Sequence, residues 1–141
     1  MTTEATNDLS TVTRDLTYPQ PPPVVWKALT DTNALADWLM PNDLKPEVGH
    51  AFDFRGQPYG DWDGVIHCAV LESVPNERLV YTWASLGVET TVTFELAPEA
   101  SGTRLHFEQT GFEVTNTRAK QGAEYGWNAF FEKLPAVLAT I

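Results

Sequence analysis

The sequence predicts an α+β fold in which an antiparallel sheet of about six strands grips one long C-terminal helix, with two short helices after the first strand. Two observations lead there. From Val48 onward apolar residues recur with period two, as in strands with one buried and one wet face, whereas the stretch from Gly122 to Thr140 recurs with period 3.6. A meander that is wet on one face must bury the other. The last helix is the only element long enough to cover it.

Residues 1–9 read as a polar, flexible N-terminal tail, because no periodicity begins before "STVTRDLTYP". There Val12, Arg14, Leu16 and Tyr18 alternate with Thr11, Thr13, Asp15 and Thr17, which suits a first strand. "PQPPP" cannot continue a ladder but can start a helix, so "VVWKALT" is a short one. In "DTNALADWLMP", Thr32 or Asn33 is placed to cap a second short helix that Pro41 ends. "HAFDFRG", "VIHCAVLESV", "LVYTWAS", "VETTVTFEL" and "TRLHFEQTGF" follow as strands separated by turn-rich segments. Their alternation turns Phe52, Phe54, Tyr81, Trp83, Val92, Phe94, Leu105 and Phe107 inward. Only "VIHCAVL" is ambiguous, being apolar on both parities. In the last helix Trp127, Phe131, Leu134 and Leu138 form one stripe at steps of four, three and four. The same segment carries two glycines, and Pro135 either kinks it or marks its end near Lys133.

Composition narrows the class. The length of 141 residues suits one domain, spanning 10–141, and 43% hydrophobic with 20% charged residues is ordinary for a globular chain. Nineteen Asp and Glu against nine Lys and Arg leave a formal charge of −10, which repels nucleic-acid phosphates and anionic lipid. Neither partner is expected. A single cysteine, Cys68, allows no intrachain disulfide, and "MTTEATNDLS" lacks the features of a secretory leader, so a cytoplasmic location is expected. No apolar run is long enough for a membrane span.

Four segments, "YPQPPPVVWKALTDTNALADWLMP", "GVIHCAVLESVPNERLVYTW", "VTFELAPEASGTRLHFEQTGF" and "GWNAFFEKLPAVL", carry a resemblance in their order and spacing. Over roughly residues 9–140 the chain resembles the domain homologous to the activator of the ninety-kilodalton heat-shock protein ATPase. That domain belongs to the START/SRPBCC superfamily, which includes the birch-pollen-allergen fold. The resemblance implies a helix-grip fold, a curved sheet wrapped around the C-terminal helix, with a hydrophobic cavity commonly left between them. Pro135 departs from the uninterrupted last helix usual in such relatives.

The chemistry-bearing residues form no catalytic constellation. His50, His67 and His106 lack metal-ligand spacing, and "YGDWDG" carries only a fragment of a calcium loop. Cys68 reads as a small buried hydrophobe rather than a reactive thiol. No cofactor or metal is expected. The remaining signal is aromatic, and two readings stay open for each ring: core filler, or lining of the cavity that the resemblance implies. On the second reading the candidate ligand-binding residues are Trp38, Phe52, Phe54, His67, Tyr81, Trp83, Phe94, Phe107, Trp127, Phe130, Phe131 and Leu134. His67, Tyr81 and Trp83 would supply the polar atoms. Tyr59 and Trp62 are either a rim or an exposed turn tip.

Three functions compete. The leading expectation is a non-catalytic monomer holding a small hydrophobic ligand, aromatic or lipid-like, between sheet and helix. The second, carried by the resemblance, is a stress-related contact with the chaperone. Activators of that type have an additional N-terminal domain for which 141 residues leave no room, so stimulation would be partial at best. The third is a cyclase or self-sacrificing resistance protein on the same fold, which would need polar or acidic groups facing the cavity.

Overall fold

The computed structural model describes residues 9–141; the expected tail lies outside them apart from Leu9, which opens the first strand. The elements are β1 (Leu9–Tyr18), α1 (Pro22–Thr30), α2 (Thr32–Trp38), β2 (Ala51–Arg55), β3 (Val65–Val74), β4 (Arg78–Ser85), β5 (Val88–Glu99), β6 (Gly102–Glu113) and α3 (Thr117–Leu138). All six strands join one antiparallel sheet in the order β1-β6-β5-β4-β3-β2. Strands β2 to β6 are a meander, and β1 closes on the last of them.

The inward residues named from alternation are buried, Trp83 being only half-buried. The ambiguous β3 is settled by its partners: Ile66, Cys68 and Val70 point into the core, which turns His67 outward. Two register shifts interrupt the ladders, one of them in the β1–β6 pair, where Ser10 faces Phe112 but Thr11 faces Thr110. Gly111 is the extra residue. Its φ of 110° is open to glycine, and a Cβ there would lie 3.3 Å from the Glu89 carbonyl oxygen. The bulge turns Gln109 and Phe112, three positions apart, to the same buried side.

The helices cover one end of the sheet. Asp31 caps α2, its carboxylate accepting the Asn33 and Ala34 amides at 3.0 Å each, whereas the sequence had pointed one or two positions later, to Thr32 or Asn33. Asp and Asn cap equally well, so spacing alone misses the position. Trp38, on α2, donates its indole N–H to the Ala28 carbonyl at 2.8 Å and stacks on Phe131 of α3 at 5.7 Å. Helix α3 begins five residues before Gly122, capped by Asn116, and runs through Pro135 to Leu138. Termination near Lys133 is therefore excluded. Pro135 is exposed, so its ring disturbs the solvent-facing side while Leu134 and Leu138 remain buried.

On the outer face a row of alternating charge crosses five strands. Glu72 bonds Arg78 at 3.0 Å, Arg78 bonds Glu95, Glu95 faces His106 across the β5–β6 ladder, and His106 bonds Asp15 at 2.8 Å. The second ring nitrogen of His106 meets Glu108 at 2.7 Å. With a carboxylate at each nitrogen both must donate, so the ring is held as imidazolium. Hydrogen bonds to Asp15 and then Glu108 raise its pKa above the ordinary 6.5. A raised folded-state pKa contributes stability that is complete below the unfolded value and lost as pH rises through the folded one. Denaturant midpoints are expected to fall as pH rises from about 6.5 through the raised folded-state value, and His106→Gln, neutral throughout, to flatten that slope.

Inside the core the Tyr81 hydroxyl is fully buried and finds no partner among the described residues. A buried unpaired hydroxyl typically costs ~1–3 kcal/mol. Tyr81→Phe should therefore leave stability unchanged or raise it by about 1 kcal/mol in equilibrium unfolding. A loss of stability would show that the hydroxyl is engaged.

Candidate functional site

Helix α3 has two unlike halves. Its C-terminal half presents Trp127, Phe131, Leu134 and Leu138, all buried. Extended backwards at the same spacing, that stripe meets Ala119, Gly122, Ala123 and Gly126. These short side chains do not reach the sheet. What remains between them is a cavity of about 820 Å³.

The sheet side of the cavity is built by inward positions of four strands: Ile66 on β3, Trp83 on β4, Val88 and Thr90 on β5, Gln109 and Phe112 on β6. Trp62, from the β2–β3 loop, forms another wall. Its indole donates to the Val65 carbonyl at 3.3 Å, and it presses on Gly56, where a Cβ would come within 3.0 Å of the ring. Leu86 lies at the rim, 67% exposed and with φ 51° in the tight β4–β5 turn, a conformation that bulky residues seldom adopt. An exposed apolar residue held in that way stands beside an apolar opening.

One polar chain crosses the floor. The Trp127 indole N–H donates to Gln109 Oε1 at 2.8 Å, Gln109 Nε2 donates to Thr90 Oγ1 at 2.8 Å, and Thr90 Oγ1 donates to the Trp83 carbonyl at 3.1 Å. Indole can only donate, so it fixes which end of the Gln109 amide faces it, and every later link follows. Gln109 and Thr90 are buried, at 2% and 5% exposure. Among the described residues only one of the two Gln109 amide hydrogens has a partner. The other polar lining residues are Gln57, Ser85, Asn116 and Arg118. No carboxylate, histidine or cysteine lines the cavity among the described residues, so the wall offers no acid–base pair and no nucleophile–base pair.

Of the twelve candidates, Trp83, Trp127 and Phe130 line the cavity. Trp38, Phe52, Phe54, Tyr81, Phe94, Phe107, Phe131 and Leu134 form the packed core beside it. Their rings interlock: Phe52 and Tyr81 are 5.2 Å apart, Phe94 and Phe107 5.3 Å, Phe107 and Trp127 4.4 Å. His67 stands apart from both, 69% exposed on the outer face and bonded to Asp53 at 2.9 Å. As a polar anchor it is corrected, because its strand neighbours Ile66 and Cys68 take the inward parity. Trp62 reaches the cavity, whereas Tyr59 is 85% exposed. Gln109, Thr90 and Phe112 were not among the candidates. For Phe112 the available signal was Gly111, since a glycine inside a strand pattern marks a bulge; for Thr90 and Gln109 it was the inward parity they share with Val92 and Phe107.

Two other groups lie off the cavity. Burial pushes the Cys68 thiol far above its ordinary pKa, leaving it inert. Glu95, His106 and Glu108 come together on the outer face, but His106 spends both ring nitrogens on carboxylates and has no lone pair for a metal.

Among solved structures the chain is similar to protein MLL2253 from Mesorhizobium loti, at 41% identity and a TM-score of 0.84 over 93% of this chain and 98% of that one. It is also similar to BH1534 from Bacillus halodurans, at 26% identity and a TM-score of 0.78 over 94% and 99% of the two chains. DynU16, a protein of the dynemicin biosynthetic locus, is 26% identical with a TM-score of 0.77 over 92% of this chain but only 47% of its own. No curated protein matches. Residues 19–139 match the family described as Activator of Hsp90 ATPase homolog 1-like protein, a span that runs from the start of the helical pair to the end of α3. The chain belongs to that family, and its helix-grip fold is the family's fold.

Proposed function

We propose that the protein binds a small, mostly apolar ligand in the cavity between sheet and α3 and does no chemistry on it. The observation that carries this reading is the stripe of Ala119, Gly122, Ala123 and Gly126 on the cavity side of α3. Glycine inside a helix is less favourable than alanine by ~0.5–1 kcal/mol. A Cβ built at Gly122 meets nothing within 4 Å, and one at Gly126 meets only the Phe130 ring at 3.9 Å. Packing does not demand these glycines. Room for a ligand does, and an apolar wall with a few fixed polar atoms is how small-molecule sites are usually built.

Binding is expected at micromolar strength, about −8 kcal/mol, since few directional contacts are available. Amide chemical-shift titration with flat hydrophobic compounds should move residues 119–127 and the Trp83 strand. Shifts confined to the outer face would defeat the reading. Ala123→Phe, which fills the cavity from the helix side, should reduce affinity at least about tenfold with unfolding free energy maintained. Gly122→Ala should raise stability by ~0.5–1 kcal/mol in denaturant unfolding, through helix propensity alone.

The family match favours one further reading, contact with the Hsp90 chaperone. A coupled ATPase assay with and without this chain separates the two: stimulation that survives Ala123→Phe would promote the chaperone role, because that change fills the cavity.

A further inference from the structure

The cavity wall differs in charge from the rest of the molecule. The sequence holds nineteen Asp and Glu against nine Lys and Arg, yet no acid lines the cavity and one cation, Arg118, does. Acids stand directly beside lining residues in sequence, Asp61 and Asp63 around Trp62, Glu89 before Thr90, Glu108 before Gln109, Glu113 after Phe112 and Glu124 after Ala123, yet none of them is part of the wall. Arg118 makes no ion pair or side-chain hydrogen bond with any described residue. Its helical neighbours three and four positions on are Gln121 and Gly122, neither of them acidic. An exposed arginine in so acidic a chain would ordinarily be placed beside a carboxylate. Among the described residues this one has none, and it stands at an apolar opening.

The position is also unfavourable for the helix. Asn116 is the cap, so Arg118 is the second residue of α3, where the macrodipole favours an acid and disfavours a cation; the first turn holds no acid. A residue that works against its own helix is a sign of another role. Around the opening the walls are flat rings, Trp62, Trp83, Phe112, Trp127 and Phe130, with Trp83 and Trp127 only 5.1 Å apart. Rings of that kind accept a planar aromatic body against their faces or edges.

We infer that the ligand is an aromatic anion: a flat apolar body lying among the tryptophans, with one negatively charged group, carboxylate or sulfonate, paired to Arg118. This rests on the cavity being the binding site. The guanidinium matches such a group with two parallel N–H donors. The second Gln109 amide hydrogen gives the buried end of the ligand one place for a neutral acceptor. The aromatic body sets depth, and Arg118 sets direction.

Two probes share one body and differ in the charge. 1-Anilinonaphthalene-8-sulfonate is anionic, and N-phenyl-1-naphthylamine is its neutral counterpart. Both are titrated by fluorescence into the full chain and into Arg118→Gln, with Arg118→Lys as the charge-retaining control. The expected result is a three- to fivefold weakening, roughly, for the sulfonate in Arg118→Gln, substantial recovery in Arg118→Lys, and less than about twofold change for the neutral probe. Equal changes for both probes, or none for the sulfonate, would overturn the inference while leaving the cavity as the site. If neither probe moves cavity amides in the unaltered protein, the inference and the binding reading fall together. Ala123→Phe distinguishes these cases, since it should exclude both probes whatever their charge.

Discussion

The hydrogen bond from the Trp127 indole to Gln109 sets where helix and sheet stop packing and start to diverge. Trp127 is the last large residue of the packed stripe. One helical turn earlier the side chains shrink to glycine and alanine. Holding the indole at that boundary keeps its ring as the wall of the cavity and prevents it from swinging into the space. The bond is buried, so breaking it would strand two polar groups away from water, a penalty of ~1–3 kcal/mol for each. Because Gln109 is in turn bonded to Thr90, and Thr90 to the Trp83 backbone, the restraint passes from α3 through β6 and β5 to β4.

That restraint divides the molecule into a packed part and an open part. On one side Trp38, Phe94, Phe107 and Phe131 meet edge to face, tilted or stacked at 5.2–6.5 Å, filling the grip of the sheet. Each such pair adds to the burial of its own area. On the other side Gly122 and Gly126 lower helix propensity, Leu86 sits in a left-handed turn, and Arg118 opposes the macrodipole. Every one of these local disadvantages borders the cavity. The packed half supplies the stability that lets the open half depart from good helix and turn chemistry.

Much of the architecture was legible in the residues. Strict alternation in "VETTVTFEL" and "TRLHFEQ" placed the inward faces, and the steps between Trp127 and Leu138 placed the buried side of α3. The site was less legible, for a physical reason. Sequence patterns report large apolar side chains, and these fill space, while the cavity is defined by the small ones that leave it. Gln109 and Phe112 were hidden differently: Gln109 continues the inward parity of Leu105 and Phe107 but is polar, while Phe112 is turned to that same face only by the one-residue bulge at Gly111. His67 shows the converse case, a strand so apolar on both parities that only its pairing partners reveal which side is wet.

The bulge at Gly111 has a consequence for how this protein can diverge. The residues that decide what fits the cavity, at positions 118, 119, 122 and 123, lie on a helical segment whose cap and first turns make no contribution to the interlocked rings around Phe107. Meanwhile the bulge position that brings Phe112 onto the cavity side is held to glycine by its φ of 110°, with the Glu89 carbonyl oxygen 3.3 Å from where a Cβ would sit. Substitutions on the helix can therefore reshape the cavity with little penalty to folding, while the bulge position stays fixed. A lineage built on this frame would vary the shape of the chamber readily while inheriting the same bulge beside its wall.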